Sequence, residues 1–125
     1  MCWKSNNFIS PKIATNDIEV YKILRVLDES IISPCFDFYW KLGIQYEINV
    51  CFKDKKTIIH EGFHSLREYP KADNYNWYIT NDKRLFIKFT NDRIFKAVIP
   101  EGSIYYENEY GEIVSNKLKL LYGCY

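Results

Sequence analysis

Thr57-Ile58-Ile59-His60-Glu61-Gly62-Phe63-His64-Ser65-Leu66 contains the pattern H-E-x-x-H, and its reading as helix or strand decides what kind of fold surrounds it. On a helix, His60 and His64 would lie one turn apart on one face. Glu61 beside them would take a proton from metal-bound water, the arrangement zinc proteases use. Ile59, Phe63, Leu66 and Tyr69 would supply the apolar stripe. Three features oppose that helix. Gly62 in its middle costs about 1 kcal/mol relative to alanine, the β-branched run from Thr57 to Ile59 adds no helical incentive, and Pro70 would stop it early. The stretch therefore reads as a strand ending near Ser65, with Gly62 marking a bulge or a close backbone approach. His60 and His64 then share a face but stand about 13 Å apart at the rise of a strand, too far to clasp one ion. A zinc site would also need a third ligand, and the chain has only two histidines. Glu68, the nearest carboxylate, would sit on the same short helix as His64. No metal ligand and no cofactor are assigned.

Outward from this segment, period-two alternation recurs. Residues Ile18 to Leu27 read as a central strand, although their apolar spacing also fits two to three helical turns. Asp28-Glu29-Ser30 turns the chain. Phe36, Phe38 and Trp40 alternate with Asp37, Tyr39 and Lys41 in a half-buried strand or extended loop. Beyond Gly43, Ile44, Tyr46, Ile48 and Val50 alternate with Gln45, Glu47 and Asn49 as an edge-type strand. A short helix is expected over Lys71 to Tyr78. Leu85 to Phe89 and Ile94 to Ile99 flank Asn91-Asp92 as a hairpin. Pro100-Glu101-Gly102-Ser103 is a tight turn, Ile104 to Tyr106 a brief strand, and Glu112 to Leu121 the last strand. The expectation is an α+β fold: mainly antiparallel strands in a small twisted sheet or partly open barrel, with one or two short helices. Residues 1–16 are expected as an irregular leader to a single domain spanning 1–125.

Composition narrows the function classes. A chain of 125 residues with 47% hydrophobic and 26% charged residues is long enough to bury a core without metal or disulfide. Seventeen basic residues against sixteen acidic ones give a net charge of +1, without the basic excess a duplex-binding surface needs, so no nucleic-acid partner is expected. Lys53, Lys55 and Lys56 form the densest basic run, but Asp54 interrupts it and it reads as a solvated turn. The four cysteines, Cys2, Cys35, Cys51 and Cys124, form no C-x-x-C, which excludes a zinc ribbon or a thioredoxin-like pair. No signal-peptide pattern and no apolar run near eighteen residues occurs, so a cytoplasmic protein with reduced thiols and no membrane partner is expected. Pairing of Cys2 with Cys124 remains open. Cys2, if exposed by removal of Met1, has no identifiable acid partner or oxyanion donors to make it a nucleophile.

The unusual component is aromatic: eleven Tyr, eight Phe and three Trp. Such residues favour strands and also contact surfaces. A non-catalytic binding or accessory protein would use Phe36, Phe38 and Trp40, together with Trp77 and Tyr78, to hold a protein partner or small ligand. The alternative is that these rings complete the core.

Met1-Cys2, Pro11-Lys12-Ile13-Ala14, the Asp17 to Leu24 strand, Gly62-Phe63-His64-Ser65 with Ala72, Ile99-Pro100-Glu101-Gly102-Ser103, Tyr105-Tyr106 and Gly111-Glu112-Ile113-Val114-Ser115 together resemble a group of small proteins of Bacteroides-type gut bacteria and phages. That resemblance spans most of the chain and implies no particular activity. A fainter similarity is to the ADP-ribosyltransferase fold, which places a basic residue on an early strand, a serine at the end of a middle strand and a glutamate near a late one. The matching positions are Arg25, Ser65 beside His64, and one of Glu107, Glu109 or Glu112, with Glu109 the central choice. The resemblance implies that Arg25 grips phosphate, Ser65 orients the nicotinamide ribose and the glutamate stabilises the cationic sugar. An enzyme of this kind requires Arg25, His64, Ser65 and a glutamate to converge in one cleft, whereas a binding module leaves them scattered.

Overall fold

The computed structural model describes residues 3–33, 38–49, 56–59, 62–69, 92–109 and 111–123. Its strands are β1 (Trp3–Ile9), β2 (Lys12–Ile13), β3 (Ile18–Leu27), β4 (Ser30–Ile32), β5 (Tyr39–Trp40), β6 (Gln45–Glu47), β7 (Lys56–Ile59), β8 (Phe63–Leu66), β9 (Asp92–Ile99), β10 (Ile104–Glu107), β11 (Glu112–Ser115) and β12 (Lys117–Gly123). No helix occurs among the described residues, so the fold is mainly β with an open antiparallel sheet, and the expected α+β class is corrected. The helix expected over Lys71 to Tyr78 and the strand over Leu85 to Phe89 lie outside the described residues. The irregular leader is also replaced: β1 pairs with β7 in a two-stranded sheet, and β2 pairs with β10.

The main sheet runs β2-β10-β11-β8-β3-β9-β12-β6. Its spine is β3 against β9, eight consecutive pairs from Ile18↔Ile99 to Arg25↔Asp92. Residues opposite one another in an antiparallel ladder share a face. Val20, Lys22 and Leu24 therefore lie with Phe95, Ala97 and Ile99 on one face, termed inner. The same register carries Phe63, Ser65, Ile113, Leu118 and Leu120 to that face. The buried apolar cluster of Val20, Leu24, Trp40, Phe63, Phe95, Ala97, Ile99, Ile113, Leu118 and Leu120 is drawn from the inner face and from β5. Period-two alternation in β3 and β9 produces this division directly. In β11 all four residues are buried, so both its faces are covered and its sequence does not alternate by polarity.

Two local features shape the sheet. One edge of β3 is shared: Tyr21 pairs with Leu66 of β8, while Arg25, Val26 and Leu27 pair with β4. β5 continues from β4, and the chain then crosses to β6 on the far side of β12. The sheet curls so that β5 and β6 meet through their rings, with Phe38 and Tyr46 at 5.3 Å and Trp40 and Tyr46 at 5.1 Å between centroids. The second feature is Asn116. The sequence reads one strand from Glu112 to Leu121, but Asn116 splits it into β11 and β12. Its backbone N–H donates to the Ile104 carbonyl at 3.1 Å, its side-chain oxygen accepts from the Ile104 N–H at 2.9 Å, and its carbonyl accepts from Ile48 at 3.0 Å. Any residue could make the two backbone bonds, but only a side chain with an acceptor such as asparagine also satisfies the Ile104 N–H.

Candidate functional site

The residues of the transferase constellation alternate onto different surfaces. Ser65 lies on the inner face opposite Ile113, whereas His64 lies opposite Val114 on the outer face. Arg25, opposite Asp92, is also on the outer face. Glu109 sits exposed in the turn joining β10 to β11, next to the end of β8 where the Arg67 N–H donates to the Gly111 carbonyl at 2.8 Å. Arg25 lies on the stretch of β3 that pairs with β4, opposite Ile32, away from the single Tyr21↔Leu66 pair at which β8 meets β3. The structure brings Arg25 and His64 to one face and sends Ser65 through the sheet. Glu107 is committed elsewhere: its carboxylate accepts from Arg67 Nε at 3.0 Å and Nη2 at 2.6 Å.

Gly62 has a φ of 123°, a conformation that strongly favours glycine, and Phe63–Leu66 is extended. His64 therefore stands on a strand. His60 and Glu61 lie outside the described residues. Among the described residues no three His, Cys, Asp or Glu side chains cluster as metal ligands.

The aromatic candidates divide. Trp40 is 4% exposed and belongs to the core, with its indole N–H donating to Ser33 Oγ at 2.8 Å. Phe38 is half-buried and packs on Trp40 at 4.8 Å and Phe63 at 5.9 Å. These rings build the interior and are not displayed. Phe36, Trp77 and Tyr78 lie outside the described residues.

Two polar side chains share this interior, and sequence reading had singled out only the second of them, Ser65. Lys22 is buried on the inner face, its ammonium 5.6 Å from the Trp40 ring centroid and donating to the His64 carbonyl. The ammonium spans the place where β8 parts from β3 after their Tyr21↔Leu66 pair. Ser65 is also buried, and its hydroxyl has no hydrogen-bond partner among the described residues. A lysine at an inward position among Val20 and Leu24 was the available sequence signal for the first of these.

Tyr39 (62% exposed), Leu42 (48%), Ile44 (45%), Leu121 (36%) and Tyr122 (54%) come from β5, the β5–β6 loop and β12, whereas the other exposed large apolar residues, Ile13, Leu27 and Tyr69, belong to other segments. The Gly43 N–H donates to the Leu120 carbonyl at 2.8 Å, which seats the loop on β12 and places Leu42 and Ile44 beside Leu121. Gly43 has a φ of 78°, which suits glycine at the tip. The Lys41 N–H donates to the Tyr46 hydroxyl at 3.0 Å, fixing the loop from its other side. The ladder slips between Leu120 and Tyr122, and that bulge turns Leu121 outward. Loop residues between two alternating segments gave no periodic signal, so this surface was not legible beforehand.

Comparison of the chain with protein-family models, curated proteins and solved structures gives no match. No helix among the described residues is long and apolar enough to cross a membrane.

Proposed function

We propose that the chain is a non-catalytic binding protein that docks a protein partner on the edge formed by Leu42, Ile44 and Leu121, with Tyr39 and Tyr122 flanking it. The observation that supports this reading is the set of five exposed large apolar side chains contributed by β5, β12 and the β5–β6 loop, a loop held by two hydrogen bonds. Scattered surface apolar residues are ordinary, but a contiguous, fixed group marks a contact surface. Fixing the loop beforehand lowers the ordering cost of association. Covering the exposed half of a leucine or isoleucine contributes about 1 kcal/mol, so the three central residues together supply a few kcal/mol. Placement of Arg25, Ser65 and Glu109 on different surfaces favours binding over the transferase alternative.

The test places a photo-crosslinking amino acid at position 42, with a control at exposed Thr15, in cells of the source organism. The expected result is one adduct of defined mass from position 42 that Thr15 does not give. It should vanish when Ile44→Asp and Leu121→Asp are added, with the circular dichroism spectrum unchanged. Identical adducts from both positions, or persistence in the double variant, would refute the reading. In parallel, incubation with labelled NAD should release no nicotinamide; release that disappears in Arg25→Ala would replace binding by transfer chemistry.

A further inference from the structure

The end of the β10–β11 hairpin is held from both sides of the sheet. Glu107 lies opposite Ile113 on the inner face, and its bidentate pair with Arg67 ties β10 across β11 to the end of β8. Hydrogen bonding to Glu107 raises the pKa of the guanidinium further, so Arg67 stays charged at every pH at which the protein is handled. On the outer face, Asn108 and Glu112 hold one another reciprocally. Asn108 Nδ2 donates to Glu112 Oε1 at 2.5 Å, the Glu112 N–H donates to Asn108 Oδ1 at 3.0 Å, and the Asn108 N–H donates to the Glu112 carbonyl at 3.1 Å. Glu112 is 5% exposed and pairs with Leu66, so its carboxyl sits over an apolar neighbour.

We infer that the hairpin end has two latches of different chemistry, and that the outer one, between Glu112 and Asn108, opens when Glu112 loses its proton. A neutral carboxyl keeps its place in the buried pair with little desolvation cost. A carboxylate is drawn toward water, and its departure breaks the bond from Asn108 Nδ2 and loosens the one from the Glu112 N–H to Asn108 Oδ1. Burial is the main cause that pushes the carboxyl up to about 7, the bond from Asn108 opposes it, and the negative charge of Glu109 adds to it.

Among the described residues, the groups around the carboxyl come from each neighbouring strand. The turn supplies Glu109. β8 supplies Leu66 opposite, with His64 on the same face next to Val114. β3 supplies Tyr21 beyond Leu66, and β10 supplies Tyr106 opposite Val114.

The test is a titration of the full chain from about pH 5.5 to about pH 8.5, following the Asn108 side-chain amide by nitrogen-15 NMR and the exchange of the Glu112 and Gly111 backbone N–H groups. The expected result is a single transition of the Asn108 signal near neutrality. Exchange at Glu112, corrected for its intrinsic pH dependence, should rise about tenfold across that transition. Glu112→Gln should abolish the transition and keep exchange slow throughout. Glu109→Gln should leave a transition but move it to lower pH, and it keeps the test decisive if Glu112→Gln fails to fold. An Asn108 signal that stays constant over this range, or that titrates identically in Glu112→Gln or Glu109→Gln, would overturn the inference.

Discussion

Three buried serines give an internal comparison for what an inward hydroxyl does in this sheet. Ser103 Oγ donates to the Pro100 carbonyl at 2.6 Å, and Ser115 Oγ donates to the Lys117 carbonyl at 2.9 Å. Ser65 Oγ has no partner among the described residues, and all three residues are at most 5% exposed. Replacing Ser103 or Ser115 by alanine removes one hydrogen bond and should cost about 1 kcal/mol. Replacing Ser65 removes a hydroxyl that was taken from water without compensation, a penalty of about 1–3 kcal/mol. A small void and the lower strand preference of alanine return part of that gain. Ser65→Ala should therefore stabilise the fold by about 0.5–1 kcal/mol. The assay is urea unfolding of the wild type and the three variants, compared at common slope so that midpoint shifts report stability. A loss of 1 kcal/mol or more in Ser65→Ala, matching the other two, would show that its hydroxyl is bonded in the folded protein and refute the reasoning. The outcome also bears on the transferase constellation, because a ribose-orienting serine must meet solvent-borne substrate, whereas Ser65 faces Ile113 and the apolar interior.

Trp40→Ala should lose about 3–5 kcal/mol, since the ring packs on Phe38, Tyr46 and Phe63; Trp40→Phe should lose less, and urea unfolding measures both. For Glu112 the raised folded-state pKa means that the native chain binds more protons than the unfolded one between the ordinary glutamate range and about 7. Stability should be highest below that window, fall as pH rises through it and level off above, by about 2 kcal/mol once solvent screening is allowed for. Glu112→Gln should flatten this component; equal pH slopes in wild type and variant would contradict it.

How much of this was legible in the sequence follows from what period-two alternation can report. It reports a strand with one buried face, and β3, β9 and the segment around β6 were read from it correctly. The Pro100 to Ser103 turn was read too, and Gly102 has the φ of 88° expected of it, with the Ser103 N–H bonded to the Pro100 carbonyl at 3.1 Å. Alternation is silent where both faces are covered, as in β11, and where a strand changes partners. The Thr57 to Ser65 reading was right in kind but joined β7 and β8, which belong to different sheets on either side of Gly62. The Glu112 to Leu121 reading likewise crossed Asn116, because the hydrogen bonds that make it a corner come from Ile104 and Ile48, distant in sequence.

The same distinction explains where Phe38 and Trp40 lie. Phe38 and Trp40 look alike in sequence, two rings at alternate positions on a short segment, and nothing local says which neighbours they meet. Trp40 is carried inward because β5 pairs with β4 and β4 pairs with β3, so that Ile31 and Trp40 follow Val26 onto the inner face. Curling then brings Tyr46 from the opposite side of the sheet to close over them. Closing the interior with rings from β5 and β6 forces the connection between those strands outward. Leu42 and Ile44, which have no ring and no inward position, are left exposed on the loop that makes the closure. The partner-binding edge proposed for this chain is thus tied to the geometry that buries its tryptophan. Substitutions that loosen the Trp40 cluster should weaken partner capture at position 42 even when Leu42, Ile44 and Leu121 are untouched.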